Sequence, residues 1–214
     1  MNRPWFGKKR IKTATNALQR KPFRALPEIV TERLLLRKLK IQDAEDIYRY
    51  ASDSEVARFV TWEPHESVIQ SKKVVYAFLE CYRNNQPAPW GIVHVAENRL
   101  IGTCGFVSYK PENGRAEIGY AIAREFWGHG YTTEAVCAVV AFGFRKLQLN
   151  RIEARCFPNN EPSERVMQKA GMKYEGLLRQ YMLTKGTYRD LKVYSILRSE
   201  YEGNSDQEKA GDSL

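Results

Sequence analysis

The stretch Phe126-Trp127-Gly128-His129-Gly130-Tyr131-Thr132 lies between a strand-like segment, residues 116–123, and an apolar segment with a helical period. Two glycines one residue apart allow the main chain to turn sharply and leave its N–H groups unshielded by side chains. At the positive end of a helix, such N–H groups form a binding site for a pyrophosphate. The sequence therefore predicts a phosphate-bearing ligand at the start of this helix.

The segments around this stretch predict one α+β domain with a mixed central sheet and flanking helices. Residues 116–123, the helix after them and residues 151–157 form a βαβ unit, so these two strands are predicted to be parallel neighbours. The other strands predict an antiparallel meander and a closing hairpin, at 31–37, 90–96, 100–107, 174–183 and 187–197. Helices are predicted at 43–51, with Asp43 as cap, and at 68–82, 132–146 and 160–171.

Charge and length divide the chain into three parts. It has 214 residues, with 34 basic and 25 acidic side chains, and the formal net charge of +9 suits anionic partners. Residues 1–27 form a basic leader, predicted to be flexible, with an RNA-binding arm as the alternative. Residues 28–200 form the predicted domain, and residues 201–214 a polar tail. No apolar run approaches the ~20 residues of a membrane span, so a cytoplasmic protein without membrane contact is expected.

The cysteines and histidines do not indicate a metal site. The four cysteines include no C-x-x-C pair, and the three histidines have no metal-ligand spacing, so no metal is expected. Cys104, Cys137 and Cys156 lie in apolar segments and are expected to be buried thiols.

The glycine pair differs from the two common nucleotide-binding motifs. It lacks the third glycine of a dinucleotide fingerprint, and no Lys-Ser/Thr pair follows it as in a P-loop. For an isolated pair, a tight turn without a ligand is the alternative. Its position at a strand-to-helix junction inside a βαβ unit favours the ligand site.

Over about residues 29–198 the chain resembles the GCN5-related N-acetyltransferase (GNAT) family, and within it the branch that acetylates protein N-termini such as those of ribosomal proteins. The matching pieces occur in the family's order: Thr31-Glu32-Arg33-Leu34, Glu117-Ile118-Gly119-Tyr120, Trp127-Gly128-His129-Gly130-Tyr131, Glu134-Ala135, Asn160-Glu161-Pro162-Ser163, Lys169-Ala170-Gly171-Met172 and Glu175-Gly176. The resemblance implies a single GNAT-like domain. In that fold the strand ending at Ala123 bulges and splays from strand 151–157, and the pantetheine arm of acetyl-CoA enters the gap.

The resemblance also implies acetyl-CoA as co-substrate, with its pyrophosphate on the main chain from Phe126 to Tyr131. The expected cofactor-binding residues are Ile122, Phe126, Trp127, Gly128, His129, Gly130, Tyr131, Thr132, Asn160, Ser163 and Arg165. A main-chain N–H near Ile122 is expected to bind the oxyanion, Asn160 the pantetheine amides and Arg165 a CoA phosphate. The family has Gln or Arg three residues before the first glycine, where this chain has Glu125.

Acetyl transfer requires a neutral amine and a hydrogen-bond donor for the leaving thiolate. Glu117 is the first candidate for the base, acting through water, with a structural ion pair as its alternative role. Ser163 is the candidate donor to the thiolate, and it can also cap its helix. Three residues are reserve candidates for the base: Glu175, Asp190 and Tyr194. Related enzymes can have a carboxylate on the strand after the Glu-Gly turn, where this chain has Met182, so their catalytic base does not transfer directly. Aromatic candidates for the acceptor side are Trp62, Tyr109 and Trp90, with Trp62 preferred.

The predicted function is transfer of an acetyl group from acetyl-CoA to a primary amine, with the N-terminal α-amine of a protein as first choice. Such an amine titrates near pH ~7.7–8 and needs less help than a lysine at ~10.4. The alternatives are a small amine, such as a polyamine or an antibiotic, and a non-catalytic acyl-CoA-binding module. Ribosomal association and a homodimer are further expectations, and an RNA-associated protein is a third class.

Overall fold

The computed structural model describes residues 21–203, which form a mixed sheet of eight strands in the order β1-β2-β3-β4-β5-β6-β8-β7. The strands are β1 (Ile29–Val30), β2 (Leu34–Arg37), β3 (Pro89–His94), β4 (Arg99–Lys110), β5 (Arg115–Ile122), β6 (Arg151–Cys156), β7 (Lys173–Thr184) and β8 (Thr187–Leu197). All neighbouring strands are antiparallel except β5 and β6, which are parallel. The predicted α+β class, the meander, the parallel pair and the closing hairpin are therefore confirmed.

Helices flank the sheet, at α1 (Ala44–Ala51), α2 (Ser54–Ala57), α3 (Val68–Arg83), α4 (Tyr131–Arg145) and α5 (Glu161–Lys169). Asp43 precedes α1 but does not cap it with its side chain, so that prediction is wrong. Its carboxylate accepts hydrogen bonds from the Arg37 guanidinium (2.8 Å) and the Lys40 main-chain N–H (2.7 Å) instead. Within residues 21–203, the structure contains no helix with the length and apolarity that a membrane span requires.

The core lies between α4 and the sheet. The apolar positions that the helical period of α4 predicts are all buried: Val136, Val139, Val140, Phe144 and Leu147. Opposite them, alternate residues of β5 and β6 face the helix, among them Ile118 and Ile152. Burying an aliphatic or aromatic side chain of this size contributes ~1.5–3 kcal/mol, so this layer holds the parallel pair in place. Cys104 and Cys156 are buried as predicted, whereas Cys137 is exposed on the outer side of α4.

The last residues of the predicted leader belong to the domain. Phe23 and Leu26 are buried, and the Phe23 ring lies 5.4 Å from the Tyr109 ring. The Trp90 indole donates a hydrogen bond to the Pro27 carbonyl (2.7 Å). The boundary drawn after residue 27 is corrected accordingly, because residues 21–27 cover part of the core. Residues 1–20 of the leader and 204–214 of the tail lie outside the described residues, and residues 198–203 are helical.

Candidate active site

A cleft begins where β5 and β6 stop pairing. Their parallel register runs from Arg115 opposite Arg151 to Ile118 opposite Ala154, although both strands continue beyond it. Further along, the Ala123 N–H donates to the Ile101 carbonyl of β4 (2.8 Å). Because N–H directions alternate along a strand, the N–H groups of residues 120 and 122 point the other way, into the gap. The cleft at this gap has a volume of about 480 Å³.

A bulge occurs beside this gap, but not on the strand where it was expected. Phe106 pairs with Ile118 and Ser108 with Glu117, so Val107 is the additional residue and belongs to β4. The expectation of a bulge in the strand ending at Ala123 is therefore wrong. A Cβ atom on Gly119 would lie 2.9 Å from Val107 Cγ1. Gly119 thus provides room for the bulged residue, and it also lines the cleft.

The glycine loop presents bare main chain to the cleft at the start of α4. Gly128 and Gly130 have φ angles of +79° and +83°, in the left-handed region that favours glycine. A Cβ atom on Gly128 would meet no other atom within 4 Å, so the space beside it is open. The first helical hydrogen bond runs from the Glu134 N–H to the Gly130 carbonyl (3.0 Å), which leaves the preceding N–H groups without helical partners.

Two of the main-chain groups expected to bind pyrophosphate have partners inside the protein. The N–H groups of Phe126 and Trp127 donate to the carbonyls of Ala123 (3.0 Å) and Arg124 (3.1 Å) in a tight turn. The Trp127 indole donates to the Ile122 carbonyl (2.9 Å) at the edge of the cleft. We define residues 128–133 as the glycine cradle, because the unpaired start of the helix lies within this range.

Arg33, directly before β2, contacts the glycine cradle. Its guanidinium donates to the His129 carbonyl (3.0 Å) and lies over the Tyr131 ring at 4.4 Å. The Tyr131 hydroxyl in turn is 3.0 Å from His94 Nε2. His129 and Tyr131, both predicted to bind acetyl-CoA, do not line the cleft, whereas Gly128 and Gly130 do. Glu125, the departure from the family pattern, binds Arg99 at 3.1 Å.

On the α4 side of the sheet, the cleft contains a hydroxyl pair. The Tyr120 hydroxyl lies 2.8 Å from Ser163 Oγ and 3.2 Å from the Ser163 carbonyl oxygen. Burial raises the pKa of Tyr120, against the effect of its bond to Ser163, so the phenol remains protonated. The Asn160 side chain accepts from the Ser163 N–H (3.2 Å) and caps α5, which assigns the cap to Asn160 and leaves the Ser163 hydroxyl for other bonds.

On the opposite face of the sheet, the gap is flanked by charged residues. Glu117, Glu153 and Arg155 share that face because they occupy alternate strand positions away from Ile118 and Ala154. The Arg155 guanidinium lies 3.3 Å from Glu117 and 3.4 Å from the buried Glu153. Burial raises the pKa of Glu117, Arg155 lowers it, and Glu153 raises it further, with a net upward shift. The observed ion pair matches the alternative role given to Glu117.

Nine of the residues predicted to bind acetyl-CoA line this one cleft: Ile122, Phe126, Trp127, Gly128, Gly130, Thr132, Asn160, Ser163 and Arg165. The reserve candidates for the base have other partners. Glu175 binds Arg151 (2.6 Å), Tyr194 donates to Glu164 (2.7 Å), and Asp190 accepts from the Gln180 N–H (2.7 Å). The aromatic candidates for the acceptor side pack in or against the core, where Trp90 is fully buried.

Sequence reasoning missed several residues of the cleft. The loop after α2 supplies Phe59 and Val60, α2 supplies Glu55, and Lys169 joins Arg165 on α5. Tyr120 belongs to a piece of sequence that matches the family, but no role was predicted for it. The spacing of Arg165 and Lys169, one helical turn apart, was a usable signal that both face the same side. Nothing in the local pattern of residues 55–60 indicates that they wall a cleft, because their position depends on long-range packing.

Comparisons with known proteins agree with this geometry. The family model described as "Acetyltransferase (GNAT) domain" matches residues 33–173. An uncharacterized N-acetyltransferase, YoaA, from Bacillus subtilis is 41% identical over 172 residues, covering 80% of this chain and 97% of the relative. The crystal structure of a GNAT-family acetyltransferase from Bacillus anthracis has a TM-score of 0.73 and 31% identity, covering 81% of this chain and 99% of the other.

Two more distant comparisons concern acceptor and co-substrate. The [ribosomal protein uS5]-alanine N-acetyltransferase of Escherichia coli is 25% identical over 171 residues, covering 76% of this chain and 86% of the relative. RimL, described as a ribosomal L7/L12 α-N-protein acetyltransferase in complex with coenzyme A, shares the fold with a TM-score of 0.70 at 21% identity, covering 79% of this chain and 96% of the other. The chain belongs to the GNAT family and is an acetyl-CoA-dependent N-acetyltransferase.

Proposed function

We propose that this enzyme acetylates the N-terminal α-amine of a protein. The observation that carries the proposal is a single cleft, lined by the glycine cradle and Ser163 on one side of the gap and by Arg155, the ion-pair partner of Glu117, on the other side. A donor bound on the first side has its reactive end at the gap, and an amine can approach from the second. The activity named for the Escherichia coli relative supports a protein acceptor. Ribosomal association and a homodimer stay predictions.

The glycine cradle fits the pyrophosphate of acetyl-CoA. Its two left-handed glycines bring bare main chain to the cleft, and the positive end of α4 favours a negative group there. Arg165 and Lys169 on α5 line the same cleft and add positive charge for the phosphates. The N–H of residue 120, which points into the gap, is available to the pantetheine amides, with Asn160 beside it.

The chemistry divides between the two faces of the sheet. On the Glu117 face, a carboxylate with a raised pKa accepts a proton from the attacking amine through water. As the nitrogen forms its bond to the acetyl carbon, the carbonyl oxygen gains negative charge, and the N–H of Ile122 stabilises it. When the carbon–sulfur bond breaks, Ser163 gives its hydroxyl proton to the thiolate. Tyr120 then supplies its own proton to Ser163 Oγ, 2.8 Å away, and regains a proton from water.

Free thiol release measures this activity directly. The protein is incubated with acetyl-CoA and either peptides with free N-termini, the same peptides with blocked N-termini and a lysine, or small polyamines. Turnover on the free N-termini alone supports the proposal. Turnover on small amines alone assigns a different acceptor, and tight binding of coenzyme A without turnover on any acceptor indicates a binding module.

A further inference from the structure

A second groove, of about 560 Å³, adjoins the acetyl-transfer cleft, because Phe59 and Val60 line both spaces. One wall is the segment that follows β6, including Pro158, and the other is the tip of the β7–β8 hairpin. We name this space the hairpin groove. An acceptor whose amine reaches the acetyl group past Phe59 has its following residues directed along this groove.

The hairpin groove is built from elements that are fastened to one another. The Thr184 hydroxyl donates to the Thr61 carbonyl (3.3 Å), and Lys185 Nζ donates to the Ala57 carbonyl (2.7 Å). These bonds join residues more than 120 positions apart and hold the hairpin tip against the loop after α2. The groove is therefore a preformed feature of the fold, which lowers the entropic cost of binding an extended segment.

Three cationic side chains line the hairpin groove: Arg58, Lys185 and Arg189. Its one acidic lining residue, Asp190, accepts the Gln180 N–H at 2.7 Å. Outside the lining, Glu55 lies 3.8 Å from Arg58 and Glu63 lies 3.9 Å from Lys185. Such long pairs at the surface contribute little and exchange readily for a carboxylate of a ligand. The groove thus offers a positive potential to a bound segment.

We propose that the hairpin groove binds the residues that follow the acceptor's N-terminus and selects segments rich in aspartate and glutamate. The proposal rests on the proposed function, because it needs a polypeptide acceptor. An extended chain advances ~3.3–3.6 Å per residue, so the residues that follow the acetylated amine can extend from the gap into the adjoining groove. Carboxylates there meet Arg58, Lys185 and Arg189, whereas lysines at the same positions meet like charges.

Three peptides test this preference with the intact protein. They share their first two residues and carry aspartates, alanines or lysines at the following positions. We expect kcat/KM to be about tenfold or more higher on the aspartate peptide than on the lysine peptide. This ratio should shrink at high salt, because the charges are exposed to solvent.

The charge-reversal variant Arg189→Glu tests whether the preference for aspartate arises in the hairpin groove. It should lower kcat/KM about fivefold or more on the aspartate peptide, with rates on the alanine peptide and the KM for acetyl-CoA within about twofold of the parent. The matched control, Lys73→Glu on the exposed side of α3, should change neither. Equal rates on all three peptides, or equal effects of the two variants, would overturn the groove proposal and leave the proposed function standing. Turnover on small amines but on none of the peptides would overturn both.

Discussion

Arg33 and Glu134 form a two-pronged ion pair between the start of β2 and the first turn of α4, with Nη2–Oε2 and Nε–Oε2 distances of 2.7 and 2.8 Å. Thr31 and the Arg33 main-chain N–H donate to the other carboxylate oxygen at 2.6 and 2.9 Å. Burial opposes ionisation of Glu134, but these hydrogen bonds outweigh it and lower its pKa. The pair holds the glycine cradle in place from outside the cleft. Both residues are therefore expected to affect coenzyme A binding indirectly, by positioning the loop.

Glu134→Gln tests this positioning role. The amide keeps the size of the side chain but cannot accept from Thr31 and both Arg33 groups as a carboxylate does. We expect the Kd for coenzyme A, measured by calorimetry, to rise about tenfold, equivalent to ~1.4 kcal/mol. Glu80→Gln, which removes an exposed ion pair on α3, should leave the Kd unchanged. A lower free energy of unfolding with an unaltered Kd would mean that the ion pair stabilises the fold but does not position the cradle.

The same pair has a defined pH dependence. Because the folded-state pKa of Glu134 is lowered, its contribution to stability is fully present above the unfolded pKa of ~4.3. It is lost as the pH falls through the lower folded-state value. The Kd for coenzyme A should therefore be insensitive to titration of this carboxylate at neutral pH.

Gly128→Ala tests the cradle itself. The added methyl group has open space, so the substitution acts through the positive φ angle, which costs ~1–2 kcal/mol for a residue with a Cβ. Relief of that strain moves the loop, and we expect the Kd for coenzyme A to rise about tenfold. Gly186→Ala is the matched control, with a φ of +70° and equally open space at the far hairpin. It should lower the melting temperature without changing the Kd, and equal Kd values for both variants would contradict the cradle.

Tyr120→Phe separates proton delivery from binding. It removes the hydroxyl next to Ser163 and keeps the ring in place. Loss of a proton donor in general acid catalysis costs ~10²–10⁴-fold, so kcat should fall at least tenfold while the Kd for coenzyme A changes little. Ser163→Ala should produce a loss of similar size, and the double variant should be no worse than either single one. Additive losses would mean that the two hydroxyls act independently.

Glu117→Gln tests the base by its effect on the pH profile of kcat/KM. Below the raised pKa of Glu117, both this carboxylate and the α-amine of the acceptor are protonated. Each protonation removes a reactive form and lowers kcat/KM in proportion. The logarithm of kcat/KM should therefore rise by about two per pH unit at low pH for the parent protein, and by about one per pH unit for the variant. Glu175→Gln removes a carboxylate that is paired with Arg151 and should keep the parent slope. An unchanged slope in Glu117→Gln would assign Glu117 to its ion pair with Arg155 alone.

Much of the fold was predictable because its signals are local. Strand alternation, the helical period of α4 and the turn at Gly171, whose φ is +81°, depend on residues close in sequence. Asp43 illustrates the limit of such signals. Its position suited a helix cap, but Arg37 on the adjacent strand competes for the same carboxylate. The position of the bulge could not be predicted from the local sequence either, because a bulge changes the register between two strands.

By itself, the sequence determined most strands and helices, apart from the short β1 and α2, and the sharp glycine turn before α4, since these follow from periodicity and backbone sterics within a few residues. Only the tertiary structure decided that Arg33 holds the cradle, that Tyr120 meets Ser163 and that the hairpin tip closes a groove against the loop after α2. These pairs lie between 43 and 128 residues apart along the chain. Their contact depends on how the whole sheet twists and packs, which no local segment specifies.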